Sequence, residues 1–169
     1  MKFFAQIFGI GAMISLFCIY QQKSRKNILI SKLCADVFWC VHYFLLGGYS
    51  GMIPNFVGMF RELVFINRKE KKWANVILWP ILFIGINWAL GFGTISSIYN
   101  LLPITASNFV TVSLWIDNPT LTKIISIPVS VAFLIYDVYV DSYIGIVNES
   151  IAIISIIIFF IKKKGKSNE

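Results

Sequence analysis

The sequence predicts an all-α integral membrane protein, in which seven transmembrane helices form two three-helix bundles joined by a linker helix (3+1+3). Composition is the first reason. Of 169 residues, 57% are hydrophobic and only 14% are charged, whereas a soluble domain is about half apolar and about a quarter charged. The apolar residues also come in runs close to the ~20 residues that a helix needs to cross a bilayer. Finally, the charges gather in the connections between these runs.

Seven apolar runs define the predicted helices, and the short connections between them make neighbouring helices antiparallel. The first run follows Lys2 and imitates a signal peptide. Because Phe17 stands before Cys18, where a lipoprotein signal needs a small residue, we interpret this run as an uncleaved span. The predicted spans are residues 3–20, 28–47, 51–67, 74–91, 96–115, 122–140 and 143–161.

Basic residues predict the orientation of these helices. Three basic clusters fall at one end of the predicted bundle, and the opposite connections contain no Lys or Arg. Since Lys and Arg are retained on the cytoplasmic side, the N-terminus is expected outside and the C-terminus in the cytoplasm. This topology accounts for the net charge of +7, so no nucleic-acid partner is expected. The clusters are Lys23, Arg25 and Lys26; Arg68, Lys69, Lys71 and Lys72; and Lys162, Lys163, Lys164 and Lys166.

The spans also indicate an internal repeat. Spans one to three match spans five to seven in length when the chain is shifted by 93 or 94 residues, and the pattern leaves both registers open. Two three-helix units of the same orientation need one more helix between them, and the fourth span supplies it. The expected units are a first bundle at residues 1–67, a linker helix at 68–95, a second bundle at 96–162 and a cytoplasmic basic tail at 163–169.

Ionisable residues inside a span form a first candidate site near the inner end. Each such residue costs roughly 2.5–3.5 kcal/mol at a helix centre, so it needs a partner or water. The helix rise places Asp36 and Arg61 about 12 Å and about 9 Å from the same end of adjacent antiparallel spans, with Glu62 beside them. They are expected to form either a structural ion pair or a cytoplasmic gate. Alternatively, Arg61 extends to the interface and leaves Asp36 for a proton or a cation.

A second polar group lies toward the outer ends of spans two, three, six and seven. These side chains would line a cleft between the bundles and bind a small polar solute, or each would hold neighbouring helices together. Glu149 favours the functional interpretation, because no basic residue except His42 lies at a similar depth. Trp39 could stack on a substrate ring. The candidate substrate-binding residues are Trp39, His42, Asn55, Tyr136, Asn148 and Glu149.

One stretch resembles a known family. The run from His42 to Tyr49 (HYFLLGGY), followed by Arg61, resembles the bacterial inner membrane protein family of the YgjV type, and Leu101-Leu102-Pro103 and Glu149 agree with it. This resemblance implies a bacterial inner-membrane location. It also implies a distant relation to the 3+1+3 helix proteins, which include the SWEET (MtN3-like) facilitators, the PQ-loop transporters and the nicotinamide riboside carriers. Two features depart from these patterns: the Pro-Gln pair is missing, and Gly58 stands where an asparagine is expected.

These observations predict a small secondary carrier or facilitator for a small polar solute, working by rocking of the two bundles. A non-transporting membrane scaffold or regulatory subunit is the alternative. It would satisfy each polar group locally and present an interaction surface to lipid. No nucleotide-binding, metal-binding or nucleophile motif is present in the sequence, so we expect neither an enzyme nor a cofactor. The expected partners are the lipid bilayer, a small polar solute and, in a homo-oligomer, further copies of the chain.

Overall fold

The computed structural model describes residues 1–19, 22 and 24–165, and the regular structure of these residues is entirely helical. The predicted all-α class is therefore confirmed. Lys23 and residues 166–169, which belong to the predicted basic clusters and tail, lie outside the described residues. The seven helices are α1 (Lys2–Ile19), α2 (Arg25–Leu46), α3 (Tyr49–Ile66), α4 (Leu78–Phe92), α5 (Leu101–Ile116), α6 (Pro119–Tyr139) and α7 (Tyr143–Gly165).

Three helical segments in the described part of the chain are long and apolar enough to cross a membrane by length and composition alone. They are Arg25–Leu46, Thr120–Tyr139 and Tyr143–Ile161. Two more, Lys2–Cys18 and Leu78–Phe92, are apolar but shorter.

The distribution of side chains is inverted relative to a soluble protein, which buries its apolar residues and leaves most charged ones outside. Large apolar residues on α4 and α7, such as Ile81 and Ile154, are exposed. Charged residues such as Asp36, Arg61 and Glu62 are buried instead. An apolar outside around a polar inside suits a solvent of lipid chains.

The helices pack as a ring of six with one helix against its outside. α2 packs between α1 and α3, and α6 packs between α5 and α7, so the two triplets have the same packing order. Contacts between α3 and α5 and between α1 and α7 close the ring. The main packing partners of α4 are α3 and α5.

Helix ends recur at a spacing of 94 residues. The side chain of Ser24 accepts a hydrogen bond from Asn27 N at the start of α2, and Asn118 does the same for Thr120 N and Leu121 N at the start of α6. Such caps satisfy backbone donors that have no partner within the helix. Ser24 and Asn118 lie 94 positions apart, as do Tyr49 and Tyr143, which begin α3 and α7.

The turns after α2 and α6 repeat with the same spacing. Gly47 and Asp141 both have left-handed backbones, with φ of 75° and 57°. In each turn the next residue donates its backbone N–H to a carbonyl five positions earlier, Gly48 to Tyr43 and Ser142 to Asp137, both at 2.8 Å. This is the pattern that ends helices through a left-handed residue. The described helix ends thus favour the register of 94 over 93.

Ion pairs join different parts of the chain at each end of the bundle. At one end, Asp117 forms ion pairs with Arg25 and with Lys69, the latter at 3.0 Å, so the connections after α1, α3 and α5 lie together. At the opposite end, Lys2 pairs with Asp141 at 2.8 Å across α1 and α7.

Two helices begin later in the chain than the sequence predicts. α4 begins at Leu78 rather than at residue 74, and α5 begins at Leu101 rather than at residue 96. A short 3₁₀ turn precedes each helix, at Lys72–Ala74 and Ile98–Asn100. In the second turn the side chain of Ser97 accepts a hydrogen bond from Tyr99 N, and such side-chain bonds compete with helix formation.

Candidate functional site

A cavity of about 740 Å³ lies inside the ring of helices. Its wall takes residues from α1, α2, α3, α5, α6 and α7, and none from α4. It extends from Tyr43 and Pro54 at one end of the bundle to Arg25 and Asp117 at the other. Six of the predicted site residues share this wall: Asp36, Trp39, Asn55, Arg61, Asn148 and Glu149.

The wall of the cavity is built from equivalent positions of the two helix triplets. Many lining residues have a second lining residue 94 positions away. A cavity that takes the same positions from both triplets lies between them. The matched pairs include Met13 and Ser107, Leu16 and Val110, Lys32 and Ser126, Asp36 and Ser130, Trp39 and Phe133, Asn55 and Glu149, and Arg61 and Ser155.

Three buried charged side chains and one partly buried lysine form a cluster on α2 and α3, which we call the charge cluster: Asp36, Arg61, Glu62 and Lys32. Arg61 donates from Nε and from one terminal nitrogen to the two carboxylate oxygens of Glu62, at 3.0 Å each, and the same terminal nitrogen lies 3.8 Å from Asp36. Lys32 contacts Asp36 at 2.9 Å and Glu62 at 3.3 Å. Two positive and two negative groups thus offset one another, which lowers the cost of burying each.

Arg61 also links the first helix triplet to the second. It donates from one terminal nitrogen to the hydroxyls of Thr111 at 2.9 Å and Ser107 at 3.4 Å, both on α5. The structure therefore places Asp36, Arg61 and Glu62 together on adjacent helices, with Glu62 behind Arg61 and outside the cavity wall.

Gly58 makes room for this cluster. A Cβ atom at Gly58 would lie 2.5 Å from one Asp36 carboxylate oxygen and 3.2 Å from a terminal nitrogen of Arg61. The first distance is shorter than real Cβ contacts, so any side chain at this position would displace the Asp36 carboxylate from its place in the cluster. This gives a physical reason for the glycine at the position where an asparagine was expected.

Glu149 has a different environment on the opposite side of the cavity. Its carboxylate accepts a hydrogen bond from the amide of Asn148 at 2.9 Å, and the hydroxyl of Ser130 on α6 is a second neutral partner. Within the described residues, no basic side chain forms a salt bridge with it. Glu149 is therefore a cavity carboxylate that has only neutral hydrogen-bond partners.

The end of the cavity near Tyr43 is closed by hydrogen bonds between the triplets, which we call the outer plug. Tyr43 donates its hydroxyl hydrogen to Asp137 at 2.8 Å, across α2 and α6. The hydroxyl oxygen of Tyr136 accepts from Gly51 N at 3.0 Å. Gly51 has no space for a side chain, because a Cβ there would lie 2.6 Å from the Tyr136 ring.

His42 and Tyr136 do not line the cavity, although both were predicted to bind solute. His42 is fully buried, with Nδ1 2.7 Å from the carbonyl oxygen of Ala5 and Nε2 2.8 Å from the Ser142 hydroxyl. It ties α2 to α1 and to the start of α7. The structure thus gives His42 and Tyr136 packing positions at the outer plug, in line with the alternative that they hold helices together.

Lys32 is a contributor that sequence reasoning did not single out as part of the site. Lys32 lies four residues before Asp36, a spacing that places two side chains on one helix face and could have identified it. No local pattern links Arg61 to Thr111, which is 50 residues further along the chain. Among the described residues, no group of three His, Cys, Asp or Glu side chains could hold a metal ion.

A polar, charge-lined interior within an apolar surface of helices defines an integral membrane protein. The comparison with family models then places the chain within that class. The model of the Imp-YgjV family, described as bacterial inner membrane protein, matches residues 3–166, and the chain belongs to this family. A comparison with curated proteins found no match, and neither did a comparison with solved structures. The relation to SWEET and PQ-loop proteins therefore stays a prediction.

Proposed function

We propose that this protein is a small secondary carrier or facilitator for a small polar solute, built as a 3+1+3 bundle of seven spans. One observation carries the proposal: the cavity takes equivalent positions, 94 residues apart, from both helix triplets. Carriers made of repeats bind their solute near the bilayer midplane at the interface of the repeats. Polar residues and aromatic residues share this cavity, which suits a small solute with polar groups.

The proposed topology has the N-terminus outside and the C-terminus in the cytoplasm. Its support is the ion pairing of Arg25 and Lys69 through Asp117, which gathers the basic connections at one end of the bundle. A basic end is retained in the cytoplasm. α4 then crosses the membrane once, so that both triplets have the same orientation.

In this orientation the cavity is open toward the cytoplasm. Its wall reaches Arg25, Asp117 and Lys123 at the basic end, while the outer plug closes the other end through Tyr43 and Asp137. Transport would require the plug to separate as the inner end closes, and rocking of one triplet against the other accomplishes both movements. The Asp36 and Arg61 pair is not proposed as the inner gate. Both residues belong to the first triplet, so movement of one triplet against the other does not separate them.

A non-transporting scaffold remains the competing proposal. Local satisfaction of His42 by Ala5 and Ser142 is what a scaffold would show. Convergence of Asn55, Asn148 and Glu149 on one cavity favours the carrier. Catalysis has no support among the described residues, since the buried His42 touches a serine at the outer plug rather than in the cavity, and we propose no enzymatic activity.

A blocking experiment tests the carrier. Purified protein is first screened by thermal shift against sugars, vitamins, nucleosides and amino acids, and a hit is then assayed for counterflow in proteoliposomes. Ala152→Trp, which fills the cavity from α7, is expected to abolish counterflow. The matched control is Ile157→Trp, on an exposed face of the same helix, and it should leave counterflow unchanged. Equal activity of the two variants would contradict a pathway through the cavity.

A further inference from the structure

The two sides of the cavity carry unequal charges. The first triplet contributes Lys32, Asp36 and Arg61, and the positions 94 residues later hold Ser126, Ser130 and Ser155. The second triplet contributes one charge at depth, Glu149, whose counterpart on the first triplet is the neutral Asn55. A solute in this cavity therefore meets two different walls, so its own polar groups must be arranged asymmetrically.

The positively charged groups deep in the cavity already have hydrogen-bond or ion-pair partners. Arg61 donates to Glu62, Thr111 and Ser107, and Lys32 is held between Asp36 and Glu62. An anionic solute would have to compete with these contacts. Such competition is costly, because breaking a buried ion pair leaves an uncompensated charge in a medium of low dielectric constant.

Two hydrogen-bond acceptors deep in the cavity have fewer partners than these positive groups. Glu149 has neutral partners, Asn148 and Ser130, and forms no salt bridge within the described residues. Asp36 is not such an acceptor, because one carboxylate oxygen contacts Lys32 at 2.9 Å and the other faces Gly58 and lies 3.8 Å from Arg61. Asn55 uses its side-chain N–H on the carbonyl of Gly51 at 2.7 Å, so its oxygen is the group left for a ligand.

With the charge cluster neutral as a whole, an ionised Glu149 gives the deep part of the cavity one excess negative charge. We propose that the cavity binds a small primary ammonium compound, with Glu149 as its counter-ion and the side-chain oxygen of Asn55 as a further acceptor. An –NH₃⁺ group carries three donors and no acceptor, which matches this set. Trp39 on the first wall and Phe133 on the second line the same cavity, and aromatic rings attract cations. This inference rests on the proposed carrier function and names its substrate class.

Calorimetry on the full chain in lipid nanodiscs at neutral pH tests the charge preference directly. The probes are ethanolamine, ethylene glycol and glycolate, which are similar in size and are cationic, neutral and anionic. Ethanolamine is expected to bind saturably and at least about tenfold more tightly than ethylene glycol, since hydrogen bonds to charged groups are the stronger ones. Glycolate is expected not to bind. Saturable binding that is absent for ethanolamine, or equal for the three probes, overturns the proposal.

Variants locate the charge. Glu149→Gln should weaken ethanolamine binding at least about tenfold, and Glu149→Asp, which keeps the charge, should retain the preference over ethylene glycol. Glu70→Gln, which removes an exposed carboxylate outside the cavity, should bind as the parent does. Unchanged binding by the Gln variant overturns the assignment. So does a loss of preference in both Glu149 variants when their unfolding temperatures are normal.

Transport is scored separately from binding. Counterflow of radiolabelled ethanolamine into proteoliposomes supports both proposals if it depends on Glu149. Binding that depends on Glu149 without any counterflow leaves the ammonium site standing and contradicts the carrier. Counterflow of another solute class, with no ethanolamine binding, leaves the carrier standing and overturns the ammonium site.

Discussion

The contacts of single charged residues in this protein follow from the low polarity of the membrane interior. A charge placed among lipid chains must be paired or hydrated. Depth along two antiparallel helices was enough to predict that Asp36 and Arg61 lie near each other, and they are 3.8 Å apart. The stronger contact of Arg61 with Glu62, its neighbour in sequence, could not be predicted, because it depends on a side-chain conformation set by packing against Thr111.

The charge cluster gives a prediction at this scale. Arg61→Gln leaves two carboxylates against one lysine and is expected to cost about 3–5 kcal/mol of unfolding free energy. Adding Glu62→Gln restores neutrality and should recover part of the loss, more than Asp36→Asn recovers, because Arg61 lies closer to Glu62. Unfolding in mixed micelles measures all single and double variants. Strictly additive losses would show that these side chains do not interact.

Helices as elements were largely predictable, since apolar runs of spanning length are the dominant signal in the sequence. The starts of α4 and α5 were misplaced, because short 3₁₀ turns occupy apolar stretches that periodicity alone cannot distinguish from helix. The sequence alone also did not decide between repeat registers of 93 and 94 residues. It depends on backbone conformation, as in the left-handed residues Gly47 and Asp141, and the two residues differ in type.

The turn after α2 gives a prediction at the scale of the element. Gly47 has φ of +75° and open space around it, so Gly47→Ala meets no steric neighbour and costs only the backbone strain, about 1–2 kcal/mol. Gly93→Ala is the matched control, because Gly93 also has open space but φ of −67°. We expect the unfolding temperature to fall for the first variant only. An equal fall for both would mean that the left-handed turn has no special role.

At the scale of the whole molecule, the sequence could indicate two bundles but could not describe the space between them. The cavity depends on which faces of six helices turn inward. Periodicity is a weak guide to this when lipid and protein are both apolar neighbours. The cavity wall does include Trp39, Asn55 and Glu149. His42 instead forms hydrogen bonds with Ala5 and Ser142, which lie 37 and 100 residues from His42 in the chain.

The proposed orientation is tested with single cysteines in a background that lacks Cys18, Cys34 and Cys40. Ser96, in the connection after α4, and Lys71, in the connection after α3, are both exposed. Because the basic end is expected in the cytoplasm, Ser96→Cys should react with an impermeant maleimide on intact cells and Lys71→Cys only after permeabilisation. The opposite pattern would reverse the topology.

The position of α4 has a consequence for where amino-acid substitutions accumulate in this protein. α4 packs against α3 and α5, anchored by the amide of Asn87 on the carbonyl of Ile104 at 2.9 Å, and it contributes nothing to the cavity wall. In the proposed topology, α4 returns the chain to the side from which the second triplet starts. In the proposed carrier, selection for a particular solute would act on the six helices of the ring, and selection for membrane thickness and assembly would act on α4. Substitutions in α4 would then accumulate independently of a change of solute.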